Sequence, residues 1–251
     1  MSIKIAVAGK GGTGKTTFTS LLIKQLAEAD KGSILAVDAD PNSNLNEALG
    51  IEVKEDIADI LDEVKSGKTI PEGMAKDVFV EYRLNQVLLE TPDVDLLVMG
   101  VPQGSGCYCY ANDLMRKYLE TLRENYDFIV MDNEAGLEHL SRKVVPDIDV
   151  LLVISDSSAR GIRSAGRVFD IVKTVGIKVK KIGLVVTKTR EEGISQLEDE
   201  IKKTGLELFG TVPYDEAVAK QDLAGQPLVE LGKDSKAVQA VSHIMHNIGV
   251  L

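Results

Sequence analysis

Residues 9–16 read Gly-Lys-Gly-Gly-Thr-Gly-Lys-Thr, a full G-x-x-x-x-G-K-[ST] match, and no other stretch limits the possible folds so tightly. An apolar run at 3–8 precedes it and an amphipathic segment at 18–29 follows. Strand, glycine-rich loop and helix is the context in which this spacing holds phosphate. Glycines let backbone N–H groups close on phosphate oxygens, and the helix N-terminus adds positive potential. Gly9, Gly11, Gly12, Thr13, Gly14 and Thr17 are expected to form the cradle. Lys15 is expected to put a point charge on the β/γ-phosphates, and Thr16 a hydroxyl on Mg²⁺. The expected ligand is a nucleoside triphosphate or its diphosphate.

The chain has 251 residues, 44% of them hydrophobic and 27% charged, with a net charge of −10. That composition suits a soluble globular protein with a sizeable core. The negative charge argues against general binding to nucleic acid or to an anionic membrane surface. The N-terminal apolar run is too short for a leader and passes straight into the glycine loop, and no stretch approaches a membrane span. Only two cysteines are present, Cys107 and Cys109, too few and too close for a disulfide framework. A reduced, cytoplasmic protein is expected.

Six more apolar runs follow, at 33–38, 95–100, 126–132, 149–155, 181–187 and 207–212, with helical spacing at 113–125, 159–175, 194–204 and 235–248. Continuous β-branched runs alternating with amphipathic segments predict strands buried on both faces of a parallel sheet. The expected fold class is therefore α/β: a single P-loop domain over 1–251, with a mostly parallel twisted sheet of about seven to eight strands and helices on both faces.

Ligands in such sheets collect beyond the carboxyl ends of the strands. Asp132 ends one run, the position from which a carboxylate holds Mg²⁺ through water, and Gly136 just after it can offer an N–H to the γ-phosphate. Asp38 and Asp40 end another run. One is expected to orient the attacking water and the other to reach the Mg²⁺ shell; an N-cap by Asp40 is the structural alternative. Cys107-x-Cys109 can chelate one soft or borderline metal such as Ni²⁺, Zn²⁺ or Cu(I), leaving half of a tetrahedral site to a second chain. His139 is either a switch-loop or a structural residue. His243 and His246, three apart, can share a helix face, although packing of a surface helix explains them more simply.

Lys10 opens Lys-Gly-Gly-x-Gly-Lys-Thr, and this resembles the deviant phosphate-loop ATPases, the superfamily of the nitrogenase iron protein, MinD and ParA. The resemblance implies a nucleotide-sandwich homodimer in which Lys10 reaches the partner's phosphates. The iron protein's second cluster cysteine has no counterpart, because the stretch after Asp132 reads Asn-Glu-Ala-Gly. The Gly-Cys-Tyr-Cys-x-x-Asn pattern at 106–112 and Asp-x-Glu-Ala-Gly-x-Glu-His at 132–139 are similar to the CooC family, the nickel-insertion ATPases of carbon monoxide dehydrogenase. Over essentially the whole chain, the resemblance implies a dimeric ATPase using Lys10, Lys15 and Asp40 in catalysis. It implies Ni²⁺ or Zn²⁺ held between two Cys-x-Cys loops, and carbon monoxide dehydrogenase as client. Alternatives are a MinD/ParA-like positioning or partition ATPase without metal transfer, a redox protein with a bridging cluster, and a nickel chaperone for another cluster enzyme such as acetyl-CoA synthase. Thr187-Lys188-Thr189-Arg190 is not a guanine-reading Asn-Lys-x-Asp, so ATP/ADP is the expected nucleotide. Thr187, Lys188, Val212, Pro213 and Tyr214 are expected near the base.

Overall fold

A computed structural model describes residues 2–66, 70–101, 108–134, 147–190 and 194–251. Seven strands form one sheet: β1 (Ile3–Gly9), β2 (Ile34–Ala39), β3 (Asp95–Val98), β4 (Phe128–Asn133), β5 (Asp147–Asp156), β6 (Lys178–Thr189) and β7 (Glu207–Pro213). Their order is β3-β2-β4-β1-β5-β6-β7, and every neighbouring pair is parallel. All seven apolar runs of the sequence are strands.

The continuous apolar runs are explained by a core on each side of the sheet. In β1, Ile5 and Val7 enter one core while Ala6 and Ala8 enter another. The first core is closed by helix α1 (Lys15–Ala29) and the last described helix, Lys236–Asn247. The opposite face is covered in two halves. Helices α3 (Ile57–Ser66), α4 (Lys76–Val87) and α5 (Tyr108–Leu122) lie over β2, β3 and β4. Helices α6 (Ala159–Val175) and α7 (Glu198–Thr204) lie over β5 and β6. Short α2 (Leu45–Leu49) follows β2, and α8 (Glu216–Leu223) follows β7; the helix at Lys236–Asn247 is then α9.

The sequence pattern anticipates α1, α5, α6, α7 and α9, and the structure adds α2, α3, α4 and α8. Among the described residues no helix is long and apolar enough to cross a membrane.

From β1 the chain passes over β4 to β2 and β3, returns to β4, and crosses to β5 on the other side. The reversal at β1 opens a crevice at the carboxyl end of that strand, where such sheets bind ligands. The glycine loop leaves β1 at that point.

Candidate functional site

Gly9 ends β1 against the backbone of β5. A Cβ there would strike the carbonyl of Ile154, so only glycine lets the chain leave the sheet at this angle. Gly14 is the N-cap of α1 at φ 84°, a left-handed conformation that glycine adopts without strain. It has no side chain to cap α1, so the N–H groups of the helix's first turn remain open to a ligand. Lys10, Gly11 and Gly12 are exposed, while Thr13 is buried. The Thr13 hydroxyl donates to the Lys10 carbonyl at 2.7 Å, folding the loop back on itself.

Lys15 is only 7% exposed and forms no ion pair among the described residues. It borders a cleft of about 850 Å³ with Gly11, Gly12, Thr16, Thr17 and Asp40. Thr16 donates its hydroxyl to Asp132 Oδ2 at 2.6 Å, and Thr19 approaches Asp132 Oδ1 at 3.4 Å. The first contact brings together two residues expected to serve Mg²⁺.

Asp38 and Asp132 are register partners on β2 and β4, and both are buried. Burial raises the Asp38 carboxyl to about 7; hydrogen bonds from backbone N–H groups oppose the rise, and the charges of Asp132 and Asp40 add to it. Burial likewise raises Asp132 to about 6, against the pull of the Thr16 hydroxyl and the Lys15 charge. Lys15 alone does not offset the burial of two carboxylates. A divalent cation beside Thr16 and Asp132 would supply further positive charge, and the open helix terminus and Lys15 fit an anionic phosphate chain, so the residues suit a magnesium nucleotide.

Asp38 also has a structural task. Its Oδ1 accepts from the Asp40 N–H at 3.0 Å and its Oδ2 from the Leu45 N–H at 3.0 Å. Asp38 rather than Asp40 therefore receives the first N–H of α2. Asp40 turns its own Oδ1 to the N–H and side-chain amide of Asn42 and borders the cleft.

A further cavity, of about 240 Å³, lies beside the phosphate loop and shares Gly14, Thr17, Lys188 and Asp222 with the larger cleft. Val212, Pro213 and Tyr214 form one wall, Phe18 and Val218 another, and Val241 of α9 closes it. All five residues expected near the base, Val212, Pro213 and Tyr214 together with Thr187 and Lys188, thus line one largely apolar slot. The side chains of Thr187 and Lys188 are committed to the phosphate loop. Thr187 donates to the Thr13 carbonyl at 2.6 Å, with the Ser155 carbonyl at 3.1 Å. The Lys188 ammonium donates to the Gly12 carbonyl at 2.9 Å. Asp215 belongs to the same loop as Tyr214, and its side chain has a structural role that the sequence reading misses. Its Oδ1 accepts from the Ala217 N–H, and its Oδ2 from the Ser235 hydroxyl and the Ala237 N–H, so it pins both α8 and α9 around the slot. The signal for it is an Asp immediately before a helix, the N-cap pattern.

Cys107, Gly136 and His139 lie outside the described residues, as does the side chain of Cys109. Among the described residues, no group of three or more His, Cys, Asp and Glu is arranged to hold a metal ion. His243 and His246 both fall on α9, where His246 Nδ1 lies 2.8 Å from the Ser242 carbonyl.

The CobQ/CobB/MinD/ParA nucleotide binding domain matches residues 4–228. The chain belongs to this family. It is a ParA/MinD-type ATPase. An uncharacterised ATP-binding protein of Methanocaldococcus jannaschii is 43% identical over 97% of this chain and 97% of its own length. The carbon monoxide dehydrogenase accessory protein CooC of Rhodospirillum rubrum is 28% identical, over 98% of each chain. Among solved structures, a ParA family ATPase from Chlorobium tepidum aligns with a TM-score of 0.74 at 20% identity, over 98% of this chain and 100% of that one. That last likeness concerns the fold.

Proposed function

We propose that this ParA/MinD-type ATPase is a metallochaperone. In this reading it acts as a nucleotide-controlled homodimer, carries Ni²⁺ between paired Cys107-x-Cys109 loops, and supports nickel insertion into a carbon monoxide dehydrogenase-type cluster. The observation that carries the proposal is the end-to-end similarity to a CooC protein, together with Cys107 and Cys109 as the chain's only two cysteines. Two thiolates satisfy half of a four-sulfur site, so a second copy would complete it. Zn²⁺ suits the same ligands.

ATP is the proposed nucleotide. The Tyr214 N–H is spent on the Thr189 carbonyl, Pro213 has no N–H, and both Asp215 oxygens are engaged. The slot is therefore poor in donors that would read a 6-oxopurine.

The phosphates would lie on the N–H groups of the loop and α1, with Lys15 beside them and Mg²⁺ near Thr16 and Asp132. When bound, Mg²⁺ neutralises phosphate charge. Asp40 is assigned to orienting the attacking water, and Lys10, exposed at the loop's outer edge, to the partner's phosphates. ATP and metal would each tighten the other's binding if both favour the closed dimer, because coupling is reciprocal.

Titration of anaerobic protein with Ni²⁺, with and without ATP, while oligomeric mass is followed, tests this reading. One metal per two chains, lost in Cys107→Ala and Cys109→Ala, is expected. Tight binding that survives both substitutions would refute the site. Lys10→Ala should abolish the ATP-dependent dimer.

A second reading is a positioning ATPase without metal transfer, in keeping with the MinD and ParA members of the matched family. It requires ATP-driven dimerisation that is indifferent to both cysteine substitutions.

A further inference from the structure

Helix α4 places apolar side chains where it faces solvent. Val78 and Tyr82, one turn apart, are each 55% exposed, and Met74, just before the N-cap Ala75, heads the same stripe at 38%. The opposite arc of the helix meets the core through Phe79, Val80, Leu84 and Val87. Among the described residues, the outward stripe belongs to none of the buried cores. Beside it, a groove of about 280 Å³ runs between α4 and α5, lined by Leu84 and Leu114 with Glu81, Asp113 and Lys117 as its charged residues, of which Asp113 pairs with Arg116.

Charge along the stretch of sequence that carries the stripe is strongly one-sided. Residues 52–95 contain twelve Asp and Glu against five Lys and Arg, which is −7 of the chain's −10. Two of the five cations are already engaged: Arg83 pairs with Glu55 and Glu63, and Lys65 with Asp62. The exposed carboxylates of Glu72 and Glu81 form no ion pair among the described residues.

We infer that this face of α4, with the adjoining groove, docks a helical protein segment whose apolar side chains are bordered by lysine or arginine. An apolar stripe at i and i+4 beside a shallow groove fits the apolar face of a helix. The acidic surroundings choose its flanks, because complementary charge speeds encounter and rejects wrong partners. The same charge repels anionic lipid and nucleic acid. It also disfavours a second copy of this chain, whose acidic rim would meet its own kind. The groove's far wall is α5, whose second residue is Cys109, so a segment seated here touches the helix that carries the thiol position. The inference stands independently of the nickel reading.

The test uses the full chain and a synthetic 18-residue amphipathic helix of leucine and lysine, with a leucine–glutamate helix as control. NMR titration is expected to shift the methyl groups of Met74, Val78 and Leu114 with the basic helix alone. Val78→Lys/Tyr82→Lys should weaken binding at least ~10-fold, and Glu81→Lys should weaken it less. Unchanged basal ATPase and melting temperature would show that these variants remain folded and tie the lost binding to the face itself. Shifts centred elsewhere, equal binding of the acidic helix, or undiminished affinity in the double variant would each overturn the inference. Concentration-dependent self-association of the wild type that the double variant abolishes would overturn it too, by giving the face to a second copy.

Discussion

The Lys188 ammonium donates to the Gly12 carbonyl at 2.9 Å, so a residue of β6 holds the phosphate loop from the side. Lys188 does this from φ 55°, a conformation costly for a non-glycine residue and kept only where surroundings enforce it. The Ser157 hydroxyl, donating to the Lys188 carbonyl at 3.0 Å, is part of that enforcement. Lys188→Met keeps the aliphatic stem and removes the donor. ADP affinity is expected to fall by roughly 10- to 100-fold, the worth of one charge-assisted hydrogen bond, while adenosine affinity stays within about twofold. Calorimetric titration of both ligands checks this, and unchanged ADP affinity would show that the latch is idle.

Asp132→Asn should separate stability from activity. The substitution removes a buried charge that the protein holds at a cost, so the ligand-free melting temperature should rise, by about 2–4 °C for each kcal/mol relieved. ATP hydrolysis should fall by roughly 100-fold or more, since the amide no longer offers an anionic oxygen beside Thr16. A variant that is both less stable ligand-free and still active would contradict the role given to this carboxylate.

Stability without ligand should depend on pH in a defined direction. Asp38 and Asp132 have folded values of about 7 and about 6, above those of an unfolded aspartate. Between the unfolded and folded values the native state binds more protons, so stability falls as pH rises through that window. The melting temperature should be higher at pH 6 than at pH 8, and saturating Mg²⁺-ADP should narrow the gap. A ligand-free protein that is more stable at pH 8 would refute the assignment.

Asp215→Ala would release the Ala217 N–H, the Ser235 hydroxyl and the Ala237 N–H together. A loss of about 1–3 kcal/mol is expected from the orphaned donors, read by chemical denaturation. Adenosine and ATP should weaken in proportion, because the defect lies at the base slot; a loss confined to ATP would place it at the phosphates.

The sheet was legible because each strand is apolar on both sides, as β1 illustrates with Ile5 and Val7 in one core and Ala6 and Ala8 in the other. The added helices were hidden for separate reasons. Helix α2 spans only five residues, and α8 buries none of its side chains, so neither has a sustained apolar face. In α4, Val78 and Tyr82 put apolar groups on the wet side and blur the period. Only α3 carries a clear signal, Ile57, Ile60, Leu61 and Val64, all of them buried. At the site, spacing alone places the loop, Lys15, Thr16 and Asp132 together. It does not show that Thr187 and Lys188 serve the loop rather than a base, because those bonds join strands distant in sequence.

The slot beside the phosphate loop is closed by Ala237 and Val241 of α9, while the loop itself leaves the first strand. Its two sides are almost the whole sequence apart. During synthesis the N-terminal part emerges first, so the glycine loop exists on the ribosome long before the residues that wall the slot. The base slot is therefore complete only once α9 has been made and has packed against the sheet.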